Sequence, residues 1–377
     1  MKVAFYAPVK PPDHHIPSGD RLIGQNLVKA LETGGASVEI ASRFIAYSKR
    51  ESNDILIEKK RAALEEADNV LERISKDPPD LFLTYHPYCK APDWIGPHVA
   101  SALQIPYVTI EAAHTGQGFE NGGDRWKNWR HEAQAEFSKA DLHLCFKPTD
   151  KDYLLQALGP QAPVDDLPIF IDAAENKENL SISHPSHWRP NVPVIFTAAM
   201  MRPGKKTENF KIISQALEPL QALNWNLIVA GSGPEEEKVR EFFSKFSPDR
   251  ILFAGGLEHD EVLAHLSKAD VFFWPGWKEP IGMVYLEAQT QGVPVIASKS
   301  MGVPLVVKHG ISGLLSTEGD TKALTENLAA LLSHPMLRRD LAKSAKDYVQ
   351  THHSLEAASK VLLKKLRKVA ASRNQKL

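Results

Sequence analysis

Short apolar runs alternate with amphipathic stretches through most of the 377 residues. The runs at 3–7, 38–41, 81–85, 107–110 and 140–145 are too short for helices and rich in Val, Ile, Leu and Phe, which predicts buried strands. Between them, 20–33, 56–74, 94–103 and 129–140 read as helices. In the first of these Leu22, Ile23, Leu27, Ala30 and Leu31 recur at the helical period, and Gly34-Gly35 supplies the stop. A second series of the same kind starts at 194–199 and continues through strands at 226–230, 251–253, 271–273 and 293–296. Helices at 320–332, 335–349 and 355–368 close the chain. Strand and helix in strict alternation predict an α/β fold built on parallel sheets with helices on their faces.

The change of character at 172–190, a polar and proline-containing stretch between two apolar series, predicts two domains. The expected division is 1–171, an interdomain linker at 172–190, a second domain at 191–350, and a C-terminal helix at 351–377 packing back on the first domain. Each domain reads as Rossmann-like. The loop after the first strand lacks a tight GxGxxG turn, which argues against a dinucleotide-dependent oxidoreductase.

Composition narrows the partners. Lys plus Arg number 45 and Asp plus Glu 46, so the chain lacks the strong basic excess of a nucleic-acid-binding protein. Cys89 and Cys145 are the only cysteines, each in apolar surroundings, which predicts buried thiols rather than a disulfide framework or a structural zinc site. No apolar run approaches 18 residues and a strand begins directly after Met1-Lys2, so a cytoplasmic protein without a membrane span is expected. Seven Lys or Arg and no acid between 360 and 377 give a basic tail suited to peripheral contact with anionic lipid.

The densest chemistry lies at 272–306: a strand, a loop, a helix opening near Gly282, another strand and a glycine turn at Gly302. Ligands of parallel α/β sheets sit beyond the carboxyl ends of the strands, so this loop is a candidate site. The amides of Met283 and Val284 would open the helix without internal acceptors, where the helix dipole favours an anion such as a diphosphate. Glu287, one turn later, is placed to accept hydrogen bonds from ribose hydroxyls. Glu279 stands in the loop eight positions earlier. Read alone, a pair of glutamates is more often two solvated helix-face charges, and the strand, Pro-Gly turn, helix and strand around this pair reverse that reading. The segment 201–206, Met-Arg-Pro-Gly-Lys-Lys, puts Arg202, Lys205 and Lys206 on one glycine-containing turn after a strand. Such a turn suits a diphosphate, with a solvated basic turn as the alternative.

The run EPIGMVYLEAQTQGVPVIAS, from Glu279 to Ser298, closely resembles the nucleotide-sugar motif of glycosyltransferase family 4, retaining enzymes of the GT-B fold. Ile281 departs from the aromatic residue usual there. The turn at 201–206 resembles the Arg and Lys turn of that family, with Met201 in place of its glycine and a spacer one residue shorter. Gly231-Ser232-Gly233-Pro234 resembles its glycine turn beside the nucleotide.

The resemblance implies two Rossmann-like α/β/α domains facing across a cleft. The implied reaction transfers a sugar, with retention, from a UDP-linked or GDP-linked donor to a hydroxyl of a saccharide, glycolipid or small-molecule acceptor. It carries phosphate-binding roles to Arg202 and to Lys206, with Lys205 as rival, and nucleotide contacts to Gly231, Gly233, Gly282, Met283, Val284 and Glu287. Glu279 is implied to face the donor sugar. His114 resembles the active-site histidine after a strand of the first domain, with His86 as the alternative, and Gly19 resembles the glycine beside the donor phosphates. No tightly bound cofactor, obligatory metal or nucleic acid is implied. An inverting GT-B transferase and a non-catalytic sugar-binding protein remain the alternatives.

Overall fold

A computed structural model describes residues 1–16, 18–113, 126–172 and 182–374, Asn374 by its backbone alone. The chain divides into two compact units, Met1–Ile169 with Leu355–Leu377, and Phe170–Ser354.

Unit 1 runs β1 (Lys2–Tyr6), α1 (Gly19–Thr33), β2 (Ser37–Ser42), α2 (Asn53–Ile74), β3 (Leu81–Tyr85), α3 (Gly96–Leu103), β4 (Tyr107–Ile110), α4 (Lys127–Phe137), β5 (Leu142–Cys145), α5 (Pro148–Leu158) and β6 (Val164–Asp166). Its strands form one parallel sheet in the order β2-β1-β3-β4-β5-β6. Every residue of β3 and β4 is buried, as parallel strands covered on both faces require. The expected helix start at 94 is displaced to Gly96 by Asp93, a fully buried carboxylate that accepts from the Ile95 amide at 2.9 Å and the Gly96 amide at 2.8 Å. Thr84 and Tyr107 donate to its other oxygen at 2.6 and 2.9 Å, so a carboxyl raised by burial is nonetheless satisfied. Burial pushes the thiols of Cys89 and Cys145 up to about 12, and both are free.

Unit 2 runs β7 (Val194–Ala198), α6 (Lys205–Leu217), β8 (Asn226–Ala230), α7 (Glu236–Phe243), β9 (Ile251–Gly255), α8 (His259–Ser267), β10 (Val271–Phe273), α9 (Met283–Thr290), β11 (Val295–Ser298), α10 (Val303–Val306), β12 (Gly313–Ser316), α11 (Thr321–Ser333) and α12 (Pro335–His352). The parallel order is β12-β11-β10-β7-β8-β9. Strands on either side of the β7/β10 boundary succeed one another in opposite directions across the sheet. That boundary is the switch point where ligands of such sheets bind. The polar stretch before β7 is tied into this unit: Trp188 Nε1 donates to the Asp249 carbonyl at 2.7 Å.

The final helix, α13 (Leu355–Asn374), belongs to unit 1 and lies against α1 so closely that a Cβ at Gly34 would stand 1.9 Å from Leu363. Two cations of the expected basic tail are engaged here, Lys365 with Asp165 and Arg373 with Asp141 at 2.6 Å. Among the described residues no helix is long and apolar enough to cross a membrane.

Candidate functional site

The segments leaving β7 and β10 bring the two chemically rich stretches of unit 2 together at its switch point. After β7, Met201 is buried while Arg202 is exposed. Gly204, at a φ of 87°, turns the chain into α6, whose first turn carries Lys205 and Lys206. Lys206 Nζ lies 2.7 Å from Glu279 Oε2 and 5.1 Å from the centre of the Trp274 ring. Trp274 Nε1 donates to the same Glu279 oxygen at 3.2 Å. One carboxylate oxygen therefore collects a cation and an indole N–H, and the ring faces the cation. Lys205 faces the same loop. Burial lowers its pKa, and the neighbouring charge of Lys278 lowers it further against the opposing field of Glu279.

Asn209, buried in α6, clamps the two segments. Its Oδ1 accepts from the Trp277 amide at 2.8 Å, and its Nδ2 donates to the carbonyls of Lys205 at 2.8 Å and Trp277 at 3.2 Å. Sequence reasoning missed both Asn209 and Trp274. An asparagine at a helical position carries no signal of the loop it will hold, and the tryptophan stands in the loop after the predicted strand with nothing to tie it to Glu279.

At the end of the β10 loop, Gly282 adopts a left-handed conformation with φ 78° and starts α9. A side chain there would meet the ring of Tyr285 at 2.5 Å. Tyr285 in turn anchors the loop by donating from its hydroxyl to the Trp274 carbonyl at 3.1 Å. Helix geometry leaves the amides of Met283 and Val284 without intrahelical acceptors, and both residues are half-buried at the helix mouth. Ile281 is buried at 8% exposure. Glu287, 7% exposed, points its Oε1 to within 3.9 Å of His259 Nδ1 at the start of α8.

Gly231 and Gly233 follow β8 and press backbone to backbone against the Arg202 turn. Cβ atoms there would stand 1.9 Å from the Ala199 carbonyl oxygen and 2.4 Å from that of Met201. Their φ values of 134° and 152° are also costly for other residues. The Met201 amide donates to the Ser232 carbonyl at 2.9 Å, closing the contact. These glycines thus set how near the β7 and β8 turns approach.

Arg202, Lys206, Gly231, Gly233, Glu279, Gly282, Met283, Val284 and Glu287 all belong to unit 2. Gly19 belongs to unit 1, where it is the first residue of α1 behind the Ser18 cap, and a Cβ there would meet nothing within 4 Å. His114 lies outside the described residues.

His86, the alternative histidine, ends β3 with its Nδ1 3.0 Å from Asp20 Oδ1. Burial acts against its charged form, but Glu111 and Asp20 outweigh it and raise the pKa. Glu111, at the end of β4, pairs at 2.9 Å with Lys147. Among the described residues no group of three His, Cys, Asp or Glu side chains is placed to hold a metal ion.

The family model described as Glycosyl transferases group 1 matches residues 188–348. N-acetyl-alpha-D-glucosaminyl L-malate synthase of Bacillus anthracis is 30% identical over 149 residues, which are 37% of this chain and 39% of that protein. The chain thus spans well under two thirds of the length of the curated relatives it matches. Among solved structures, sucrose-phosphate synthase from Thermosynechococcus elongatus superposes with a TM-score of 0.70 at 19% identity, covering 99% of this chain and 100% of that one. The Anabaena protein HepE, solved in complex with UDP, gives 0.69 at 16% identity, covering 98% and 100%. The fold of the chain is therefore the two-unit GT-B fold, and its residues 188–348 are similar to the glycosyl transferases group 1 model.

Proposed function

We propose that the protein is a retaining glycosyltransferase of family 4 type that moves a sugar from a nucleoside-diphosphate sugar to a hydroxyl acceptor. The observation that carries this reading is the joining of the two switch-point segments by the Lys206 and Glu279 pair beside the mouth of α9. In the proposed complex the diphosphate lies between Arg202, Lys206 and the amides of Met283 and Val284, which neutralise the charge that grows on the leaving group. Lys206 then exchanges its contact with Glu279 for phosphate, releasing that carboxylate to the hydroxyls of the donor sugar. Glu287 receives the ribose hydroxyls. His114 and Gly19 are assigned to the sugar and phosphate of the donor.

HepE was solved with UDP, and the name of the B. anthracis relative contains an N-acetylglucosaminyl group, so UDP is the first nucleotide and UDP-N-acetylglucosamine the first donor to try. A thermal-shift series with UDP, GDP and ADP reads nucleotide preference, because a ligand of the native state raises apparent stability. With the preferred donor, Arg202→Ala is expected to lower turnover by about 10²–10³-fold. Glu287→Ala is expected to weaken nucleotide binding by about tenfold. Proton NMR of the product anomer tests retention. A chain that binds nucleotide but turns over no donor with any hydroxyl acceptor would be a sugar-binding protein instead, and kinetics unchanged in both variants would refute the site.

A further inference from the structure

Trp274 directly follows β10 in unit 2 and is buried, 1% exposed. It is held on several sides. Its amide donates to the Ile296 carbonyl at 3.2 Å and its carbonyl accepts from the Tyr285 hydroxyl at 3.1 Å, so β11 and α9 both fix its backbone. Its ring meets Phe210 of α6 edge-on, with centroids 5.2 Å apart. The indole N–H, 3.2 Å from Glu279 Oε2, is therefore aimed by packing that does not depend on Glu279.

Lys206 is the opposite kind of partner. Its ammonium reaches the same oxygen at 2.7 Å, but it stands at the end of a flexible chain and its side chain is 33% exposed. The Glu279 side chain between them is only 14% exposed. Its loop is fixed as well: the Glu279 amide donates to the Gly276 carbonyl at 3.0 Å, and Asn209 holds the Trp277 amide. Both contacts of the carboxylate fall on Oε2, which leaves the lone pairs of Oε1 for a ligand hydroxyl.

A mobile cation and a fixed N–H on one oxygen behave differently when an anion arrives. A diphosphate that draws Lys206 away leaves Glu279 largely out of water without its countercharge, and a carboxylate stranded in this way swings toward solvent or takes up a proton. The indole N–H opposes that loss. It keeps one charge-assisted hydrogen bond on Oε2 and with it the direction of Oε1.

Resting on the transferase reading above, we infer that Trp274 is a positioning residue for the sugar half of the donor. It acts through Glu279, holding the carboxylate toward a sugar hydroxyl once Lys206 has moved to the diphosphate, and it takes no part in binding the nucleotide. Phosphate and sugar recognition meet at the Lys206 and Glu279 pair, and Trp274 lets the first proceed without undoing the second.

The test is isothermal titration calorimetry of the full chain with UDP and with UDP-N-acetylglucosamine, in wild type, Trp274→Phe, Glu279→Ala and the double variant. Trp274→Phe keeps a ring for Phe210 and Lys206 and removes the N–H. It is expected to leave UDP affinity within about twofold and to weaken UDP-N-acetylglucosamine by about tenfold, the effect of one hydrogen bond to a charged group. In the Glu279→Ala background the same change is expected to weaken the sugar nucleotide no further, because residues that act through one another are not additive. Equal losses for both ligands, or a loss that persists without the carboxylate, would each mean a merely structural role and overturn the inference. Tyr285→Phe removes only the hydroxyl that anchors the Trp274 carbonyl, and it decides the question if Trp274→Phe does not fold. It is expected to shift the same selectivity by about threefold, and unchanged selectivity would overturn the inference. The two readings fail differently. A wild-type chain that binds neither ligand refutes the UDP-linked donor and this inference with it, whereas binding of both that Trp274→Phe weakens alike refutes only the role of Trp274.

Discussion

The two units place their chemistry at corresponding ends of similar sheets by opposite means. In unit 2 glycines at positive φ shape the turns, Gly231 and Gly233 bringing backbone close to backbone and Gly204 and Gly282 opening helices, and the polar groups on offer are amides and cations. In unit 1 non-glycine residues, His86 and Glu111, occupy the left-handed region themselves, and the polar groups are side chains locked to one another. Backbone amides suit a group common to many ligands, such as a diphosphate. Interlocked side chains suit a group that must be told apart from others.

The largest effect that separates the two modes is on stability. Lys147→Met strands Glu111 and Asp150, whose side chains are 6% and 12% exposed, and is expected to cost about 3–5 kcal/mol by urea denaturation. The same change at Lys206, which is 33% exposed and whose partner keeps the Trp274 donor, should cost only about 1 kcal/mol. Equal losses would break the contrast.

Glycine replacements come next. Gly231→Ala drives a Cβ into the Ala199 carbonyl and should lower stability by about 1–3 kcal/mol. Gly19→Ala, in a helix with open space around it, should raise stability by about 0.4–1 kcal/mol. Melting temperatures of the two variants check both signs, and a gain at Gly231 would mean that the turns do not touch as described.

The smallest effect is a pair of opposed pH slopes. His86 has a raised pKa in the fold, so its contribution is complete below the ordinary value of 6.5 and is lost as pH rises through the folded value. His265 in unit 2 is lowered by burial and by His184, so its unfolded form takes up the proton first and stability falls as pH drops below 6.5. Against wild type, His86→Gln should therefore lose most at low pH, and His265→Gln should gain there. Parallel slopes would remove the distinction.

Legibility follows the same divide. The β10 to β11 segment could be read because its strand, turn, helix mouth and glutamates lie within one continuous run from Phe272 to Ser298, and the structure brings Lys206 onto Glu279 as part of that arrangement. The alternation of elements gave both sheets. It did not reveal α5 or β6, because β6 is only three residues, Val-Asp-Asp, with no apolar pattern. The cluster of His86, Glu111, Lys147 and Asp20 draws on four separate segments, and only the strand order makes them neighbours. His86 and Glu111 follow predicted strands, while Lys147 precedes a helix the pattern does not show and Asp20 opens the first predicted helix.

The return of α13 to unit 1 bears on how the chain is made. Phe170–Ser354 is one uninterrupted segment and can complete its contacts as it emerges during synthesis. Unit 1, begun first, waits for Leu355–Asn374, so the α1 face that Leu363 covers stays open while all of unit 2 is produced. A nascent chain paused in unit 2 would therefore expose apolar surface on a nearly finished first sheet, and that species is the one a chaperone would meet.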